Sequence, residues 1–213
     1  MHPNAKPLDP DAILDTLIAN NIECVIIGSF GAILHDIPLA RTDIDIVPKL
    51  TVENICALAK ALLELGVDDD HGVSSAVVKF IQEMPEFIKS NSTWTILTDY
   101  GEVDLVMKPE GFPNGYDDLV DHAEDIEGGP TVLIASLEDI KRSKEVAGRD
   151  KDREALKKFP YIPSSKRPIP LPPLPATNEL AMRMRSAGKK NGLVLRPTTD
   201  RRTGKTVMRW MRS

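Results

Sequence analysis

Ile26-Ile27-Gly28-Ser29-Phe30-Gly31-Ala32-Ile33-Leu34-His35-Asp36-Ile37-Pro38-Leu39-Ala40-Arg41-Thr42-Asp43-Ile44-Asp45-Ile46-Val47-Pro48 is the stretch around which the chain is organised. In its last part Asp and Ile alternate, and alternation at period two predicts a strand over 42–47 with one buried and one exposed face. A strand rises about 3.3 Å per residue, so Asp43 and Asp45 stand roughly 6.6 Å apart along one face. Two carboxylates so placed can bind and bridge a pair of divalent ions about 3.5–4 Å apart, the arrangement used for in-line displacement at phosphorus. A bare D-x-D is also what an edge strand shows when it wets one face. The residues in front of it favour the chemical reading. Val25-Ile26-Ile27 is a β-branched apolar run, hence a buried strand. It stops at Gly28-Ser29, and residues 30–35 have room for one to two helical turns. Strand, small-residue turn and helix start leave backbone N–H groups pointing outward, a geometry that cradles phosphate.

Working outward toward the C-terminus, Trp94-Thr95-Ile96-Leu97-Thr98 and Glu102-Val103-Asp104-Leu105-Val106-Met107 flank Asp99-Tyr100-Gly101 and read as a hairpin. Asp104 is a single acid beside Val103, Leu105, Val106 and Met107. A carboxylate in an apolar strand is expensive to bury unless it is paired or metal-bound. Thr131 to Ile134 reads as a further strand. Ser136-Leu137-Glu138-Asp139 has the form of a capping box. It opens a helix toward Lys144, broken near Gly148, with a second helix over 150–158.

Gly28-Ser29, then Arg41-Thr42-Asp43-Ile44-Asp45, then a lone strand aspartate, resemble the nucleotidyltransferase superfamily that includes DNA polymerase β. Within it the sequence looks most like the small prokaryotic nucleotidyltransferases, among them the toxins of AbiE-like toxin–antitoxin pairs. The resemblance covers roughly residues 12–160. It implies an α/β (α+β) nucleotidyltransferase fold, a mixed β-sheet with helices on one side. It further implies two Mg²⁺ ions and transfer of a nucleoside monophosphate from an NTP, such as ATP, to an acceptor hydroxyl. Asp43, Asp45 and Asp104 are then the metal carboxylates, with Asp104 as general base toward the attacking hydroxyl. Gly28, Ser29, Arg41 and Thr42 would meet the nucleotide. The run Lys144-Glu145-Val146-Ala147-Gly148-Arg149-Asp150-Lys151-Asp152 resembles the family's helical Lys…Gly-Arg…Lys-Asp element. It implies that Lys144, Arg149 and Lys151 meet the triphosphate and that Asp152 orients them; a solvated basic helix face is the plain alternative. His35 precedes Asp36 where relatives often have His-Gly, and is expected to pack or cap. The acceptor that the resemblance implies is RNA, for instance the 3′ end of tRNA, with a cognate antitoxin as protein partner. A protein or small-molecule hydroxyl is the alternative acceptor. A non-catalytic partner- or nucleic-acid-binding protein on this scaffold is the alternative of another class, against which the intact Asp43, Asp45 and Asp104 speak.

Composition bounds the rest. The 213 residues suit one domain plus an appendage, and 41% hydrophobic with 28% charged residues is ordinary for a soluble globular chain. No apolar run approaches the ~20 residues of a membrane span, so no membrane partner is expected. The N-terminus lacks a signal-peptide apolar region, which makes the cytoplasm the default location. Cys24 and Cys56 read as reduced core thiols rather than a disulfide or zinc site. Asp9 or Asp11 can cap a first helix, with Ile13, Leu14, Leu17 and Ile18 at helical spacing. Thr51 can cap another over 52–65, with Ile55, Leu58, Ala59, Leu62 and Leu63 as its apolar stripe and Gly66 as its stop. Residues 76–81 suit either a strand or a helix. Asp68-Asp69-Asp70-His71 reads as a solvated acidic loop, because consecutive residues cannot all face one ion. Residues 111–125 read as an acidic loop and helix.

The net charge of −5 hides a split. Residues 1–160 hold 15 Lys and Arg against 30 Asp and Glu, net −15, whereas 161–213 hold 12 against 2, net +10. Such asymmetry marks a basic arm on an acidic body. Three segments follow: a nucleotidyltransferase domain over 1–160, a proline-rich linker over 161–176, and a basic appendage over 177–213. The appendage has room for a short helix and a hairpin, or stays a solvated tail; clustered Lys and Arg there suit phosphate contacts with nucleic acid.

Overall fold

The structure, a computed structural model, describes residues 4–126, 129–160, 193–199 and 206–212. The chain divides into two compact units, Met1–Pro168 and Ile169–Ser213.

In the first unit each long helix starts where a side chain can replace a missing helical bond or where none is needed. Asp9 accepts from the Ala12 N–H at 3.2 Å to open α1 (Pro10–Ala19), with Pro10 at the first position, where no N–H is needed. Thr51 likewise opens α3 (Val52–Glu64). The ambiguous segment 76–81 lies inside a helix, α4 (Ser75–Glu83), whose Val78 and Ile81 are buried three residues apart. A 3-10 helix, Pro85–Ser90, follows it.

Four strands come from the apolar runs: β1 (Cys24–Ile27), β2 (Asp43–Pro48), β3 (Thr93–Thr98) and β4 (Gly101–Val106). Between β1 and β2 lies the short helix α2 (Gly28–Leu34). A single turn, α5 (Tyr116–Leu119), precedes β5 (Glu124–Ile126) and β6 (Gly129–Ile134). The acidic β5 begins inside 111–125, where the sequence suggests only a loop and a helix. It carries no apolar alternation and is a strand by virtue of its pairing with β6. Charged residues on such an edge also discourage pairing with another chain.

The sheet runs β3-β4-β2-β1-β6-β5, with β1–β6 and β2–β4 parallel and the other pairs antiparallel, hence mixed. Its first face is covered by α1, α3 and α4. Ile13, Leu17, Ile55, Leu58, Leu62, Val78 and Ile81 pack there on Ile26, Ile44, Ile46, Trp94, Ile96, Val103 and Leu105. The second face has its own core, in which Val25, Ile27 and Val47 meet Ala32, Phe112, Leu119, Ala135 and Ile140. The expected α/β fold, a mixed sheet flanked by helices, is what the chain forms, with the one difference that both faces are covered and not one side alone. All four residues of β1 are buried, so both of its faces need cover.

Asn54 ties α3 to the sheet. Only 5% exposed, it accepts from the Glu23 N–H at 2.8 Å and donates to the carbonyls of Glu23 at 2.9 Å and Lys49 at 2.8 Å. In the second unit, β7 (Leu193–Thr199) and β8 (Thr206–Arg212) form an antiparallel hairpin with Thr199 opposite Thr206. The proline-rich linker and the short basic helix expected before this hairpin lie outside the described residues.

Candidate active site

The site is assembled by register. Parallel pairing sets Asp43 opposite Glu102 and Asp45 opposite Asp104, and antiparallel pairing sets Asp104 opposite Thr95. Because Ile44, Ile46, Val103 and Leu105 all point into the first core, pleating turns Asp43, Asp45, Glu102, Asp104 and Thr95 to the opposite face. Asp43, Glu102 and Asp104 each offer an oxygen, and these atoms lie within 4.8 Å of one another, a set able to hold a metal ion.

Asp45 sits beside that threesome, turned toward the start of α2. Ile27 is its partner on β1, so its carboxylate meets the chain where strand becomes helix. Gly28 there has φ +73°, and a Cβ on it would come within 1.9 Å of Asp45 Oδ2. Glycine is thus required twice over, by the left-handed backbone and by the close approach. Burial pushes the Asp45 carboxyl up to about 7; Asp43 and Asp104 add to the push, while Lys144 and Lys151 work against it. Burial also raises Asp104, opposed by the Thr95 hydroxyl, which donates to Asp104 Oδ1 at 2.6 Å.

The cations arrive on the helices after β6. Ser136 opens α6 (Leu137–Ala147), its Oγ accepting from the Asp139 N–H at 3.1 Å and donating to the Asp139 carboxylate at 2.8 Å. Left-handed Gly148 closes α6, and α7 (Asp150–Leu156) follows, ending two residues before the expected 158. Lys144 in the last turn of α6 is 7% exposed; its Nζ donates to Ser29 Oγ at 3.4 Å and lies 3.7 Å from Asp152 Oδ1. Both separations are long, so the ammonium retains reach toward a further acceptor. Arg149 Nε donates to Asp152 Oδ2 at 2.8 Å, which places buried Asp152 between the two cations.

Of the residues singled out in the sequence, the structure thus brings together Gly28, Ser29, Asp43, Asp45, Asp104, Lys144, Arg149 and Asp152. Lys151 is exposed on the first turn of α7 and reaches Asp45 through its field. Arg41 is exposed and lies over the Phe30 ring, 5.8 Å from its centroid, and Thr42 precedes β2 half-buried. His35 Nε2 bonds the Ala135 carbonyl at 2.8 Å, a packing role away from the carboxylates. Glu102 and Thr95 join the site without having stood out in the sequence. Glu102-x-Asp104 repeats the period-two spacing of Asp43-x-Asp45 and is open to the same reasoning. Thr95 becomes visible only through the hairpin register.

No family model matches the chain, and no curated protein matches it. A solved structure, that of a candidate nucleotidyltransferase from Thermotoga maritima, is similar to it at 19% identity and a TM-score of 0.44, over 74% of this chain and 97% of that one. Among the described residues no helix is long and apolar enough to cross a membrane.

Proposed function

We propose that this chain is a Mg²⁺-dependent nucleotidyltransferase of the DNA polymerase β superfamily, which moves a nucleoside monophosphate from an NTP to an acceptor hydroxyl. The observation that carries the reading is the row Asp45–Asp104 across β2 and β4, with Asp43 and Glu102 beside it and the Gly28-Ser29 turn and Lys144 at its end. Hard carboxylate oxygens on neighbouring strands are the donor set that Mg²⁺ takes. Asp43, Asp45, Asp104 and Glu102 would hold it, and the close approach of Asp43, Glu102 and Asp104 supports the fit. Bound there, two Mg²⁺ ions supply charge neutralisation to the phosphates and acidify the acceptor hydroxyl.

The chain's own groups do the rest. Asp104 takes the proton of the acceptor hydroxyl as its oxygen bonds to the α-phosphorus. The bond from that phosphorus to the bridging oxygen breaks, and pyrophosphate departs with the electron pair. Lys144, and Ser29 beside it, donate to the triphosphate where this charge develops; Gly28, having no side chain, leaves room for the Asp45 carboxylate next to them. Asp152 holds Lys144 and Arg149 in place, and Arg41, Thr42 and Lys151 line the nucleotide's approach.

For the acceptor we propose RNA, for instance the 3′ end of tRNA, in a toxin role countered by a cognate antitoxin. The resemblance of the Gly-Ser and Asp-x-Asp motifs supports the role, and the basic surplus of 161–213 supports the polyanion. Purified protein is incubated with each labelled NTP and with total cell RNA, protein or small metabolites. Label entering RNA in the presence of Mg²⁺ is the expected result, and label entering protein would move the acceptor. Asp43→Ala should abolish transfer while melting no lower than wild type, since removing one of several repelling carboxylates relieves repulsion in the metal-free site. Label transfer undiminished by Asp43→Ala would end the metal reading.

A further inference from the structure

We propose that Thr95 is a positioning residue for Asp104, its hydroxyl fixing the direction in which the third carboxylate of the site points. The inference rests on the reading of Asp43, Asp45 and Asp104 as metal carboxylates and adds a residue from outside that motif. Thr95 lies on β3, an edge strand of the six-stranded sheet, and the β3–β4 register sets it directly opposite Asp104. Asp45 flanks Asp104 on the other side, so Asp45, Asp104 and Thr95 form one row across three strands. The 2.6 Å separation from Thr95 Oγ1 to Asp104 Oδ1 is that of a hydroxyl donating to an ionised carboxylate. A hydrogen bond to one oxygen fixes the rotation of the carboxylate and leaves its other oxygen for the interior of the site.

Such an arrangement is what outer partners do for metal ligands. They hold the ligand's orientation before the ion arrives, and their loss weakens metal binding about 10–100-fold. The plain alternative is a cross-strand pair that merely steadies the hairpin. The hairpin has other supports. Trp94 and Ile96 are buried in the first core, six residue pairs run from Thr93–Val106 to Thr98–Gly101, and Trp94 Nε1 donates to the Ile88 carbonyl at 2.7 Å. Val matches Thr in shape and favours strands, so Thr95→Val removes the donor without disturbing the pleat.

The experiment titrates metal-free full-length wild type, Thr95→Val and Thr95→Ser with Mn²⁺ by calorimetry, with Tm measured alongside. We expect Thr95→Val to bind Mn²⁺ about tenfold more weakly at an unchanged Tm, and Thr95→Ser, which keeps the hydroxyl, to bind as wild type does. Equal Mn²⁺ affinity in Thr95→Val and wild type would overturn the role while leaving the metal site standing. Weakened binding accompanied by a lower Tm and shared by Thr95→Ser would reduce Thr95 to a structural residue. A wild-type protein that bound no Mn²⁺ would remove the metal reading and this role together.

Discussion

Asp45 is held against Gly28 with its water largely gone and two carboxylates nearby, and its carboxyl is pushed up to about 7 in consequence. A carboxyl raised above its unfolded range of about 4 favours the folded state while protonated. That contribution is complete below about pH 4 and is lost as pH climbs through 7, so the metal-free protein should weaken across this window. The full effect is at most about 4 kcal/mol. Asp45→Asn removes the charge and should leave a flatter profile: near wild type in Tm at pH 4–5 and clearly higher at pH 8, measured in EDTA. Added Mg²⁺ should stabilise wild type at pH 8 far more than at pH 5, because proton and ion compete for one carboxylate. Identical pH profiles for the two proteins would mean that Asp45 is solvated after all. At this scale the sequence is most readable. Alternating Asp and Ile tell which residues share a face, and the glycine before them tells where a backbone has to approach.

Elements are readable wherever a period or a cap speaks for them. Thr51 and the stripe of Ile55, Leu58 and Leu62 announce α3, and Ser136 announces α6. Residues 76–81 are ambiguous because so short an apolar run fits both periods; packing of Val78 and Ile81 on the first core decides for a helix. Register is not readable. The sequence suggests Asp99-Tyr100-Gly101 as the hairpin turn, whereas Gly101 pairs with Thr98. One residue of turn length decides whether Thr95 or its neighbour faces Asp104, and therefore whether the hydroxyl is in the site. Nor does anything in the sequence tell that Asn54, in the first turn of α3, is buried and bonded to Glu23 and Lys49 at the ends of β1 and β2. Its three hydrogen bonds predict that Asn54→Ala costs about 1–3 kcal/mol, since the Lys49 carbonyl and the Glu23 N–H lose the partner that Asn54 supplies, while the Glu23 carbonyl keeps the Lys49 N–H. Urea denaturation is the measurement. Asn54→Asp, which keeps the shape and the acceptor but loses both donors, should be at least as damaging. A loss under about 0.5 kcal/mol in both would show that water replaces the side chain there.

At the scale of the molecule the charge split is the dominant fact. Residues 1–160 carry 15 Lys and Arg against 30 Asp and Glu, net −15, and among the described residues they contain the candidate site and both cores of the six-stranded sheet. A polyanionic acceptor is repelled by such a surface except where bound cations reverse the sign locally. If the acceptor is RNA, the molecule needs phosphate-binding charge from elsewhere, and 161–213, with 12 Lys and Arg against 2 Asp and Glu, is the large basic surplus in the sequence. Ending the chain after Pro160 should therefore leave Tm and NTP binding close to those of the full chain, because core and nucleotide groups all precede that point. RNA binding should weaken, and its dependence on salt should become shallower. Each phosphate that the shortened chain no longer neutralises takes roughly 0.7 from the slope of log K against log salt on a single strand, so three such phosphates change it by about 2. Fluorescence anisotropy with a labelled RNA at several salt concentrations reads both quantities. A protein or small-molecule acceptor predicts a different pattern, full transfer activity in the shortened chain. Equal RNA affinity and equal slope in the two chains would strip 161–213 of an RNA role, and would remove the charge argument for an RNA acceptor with it.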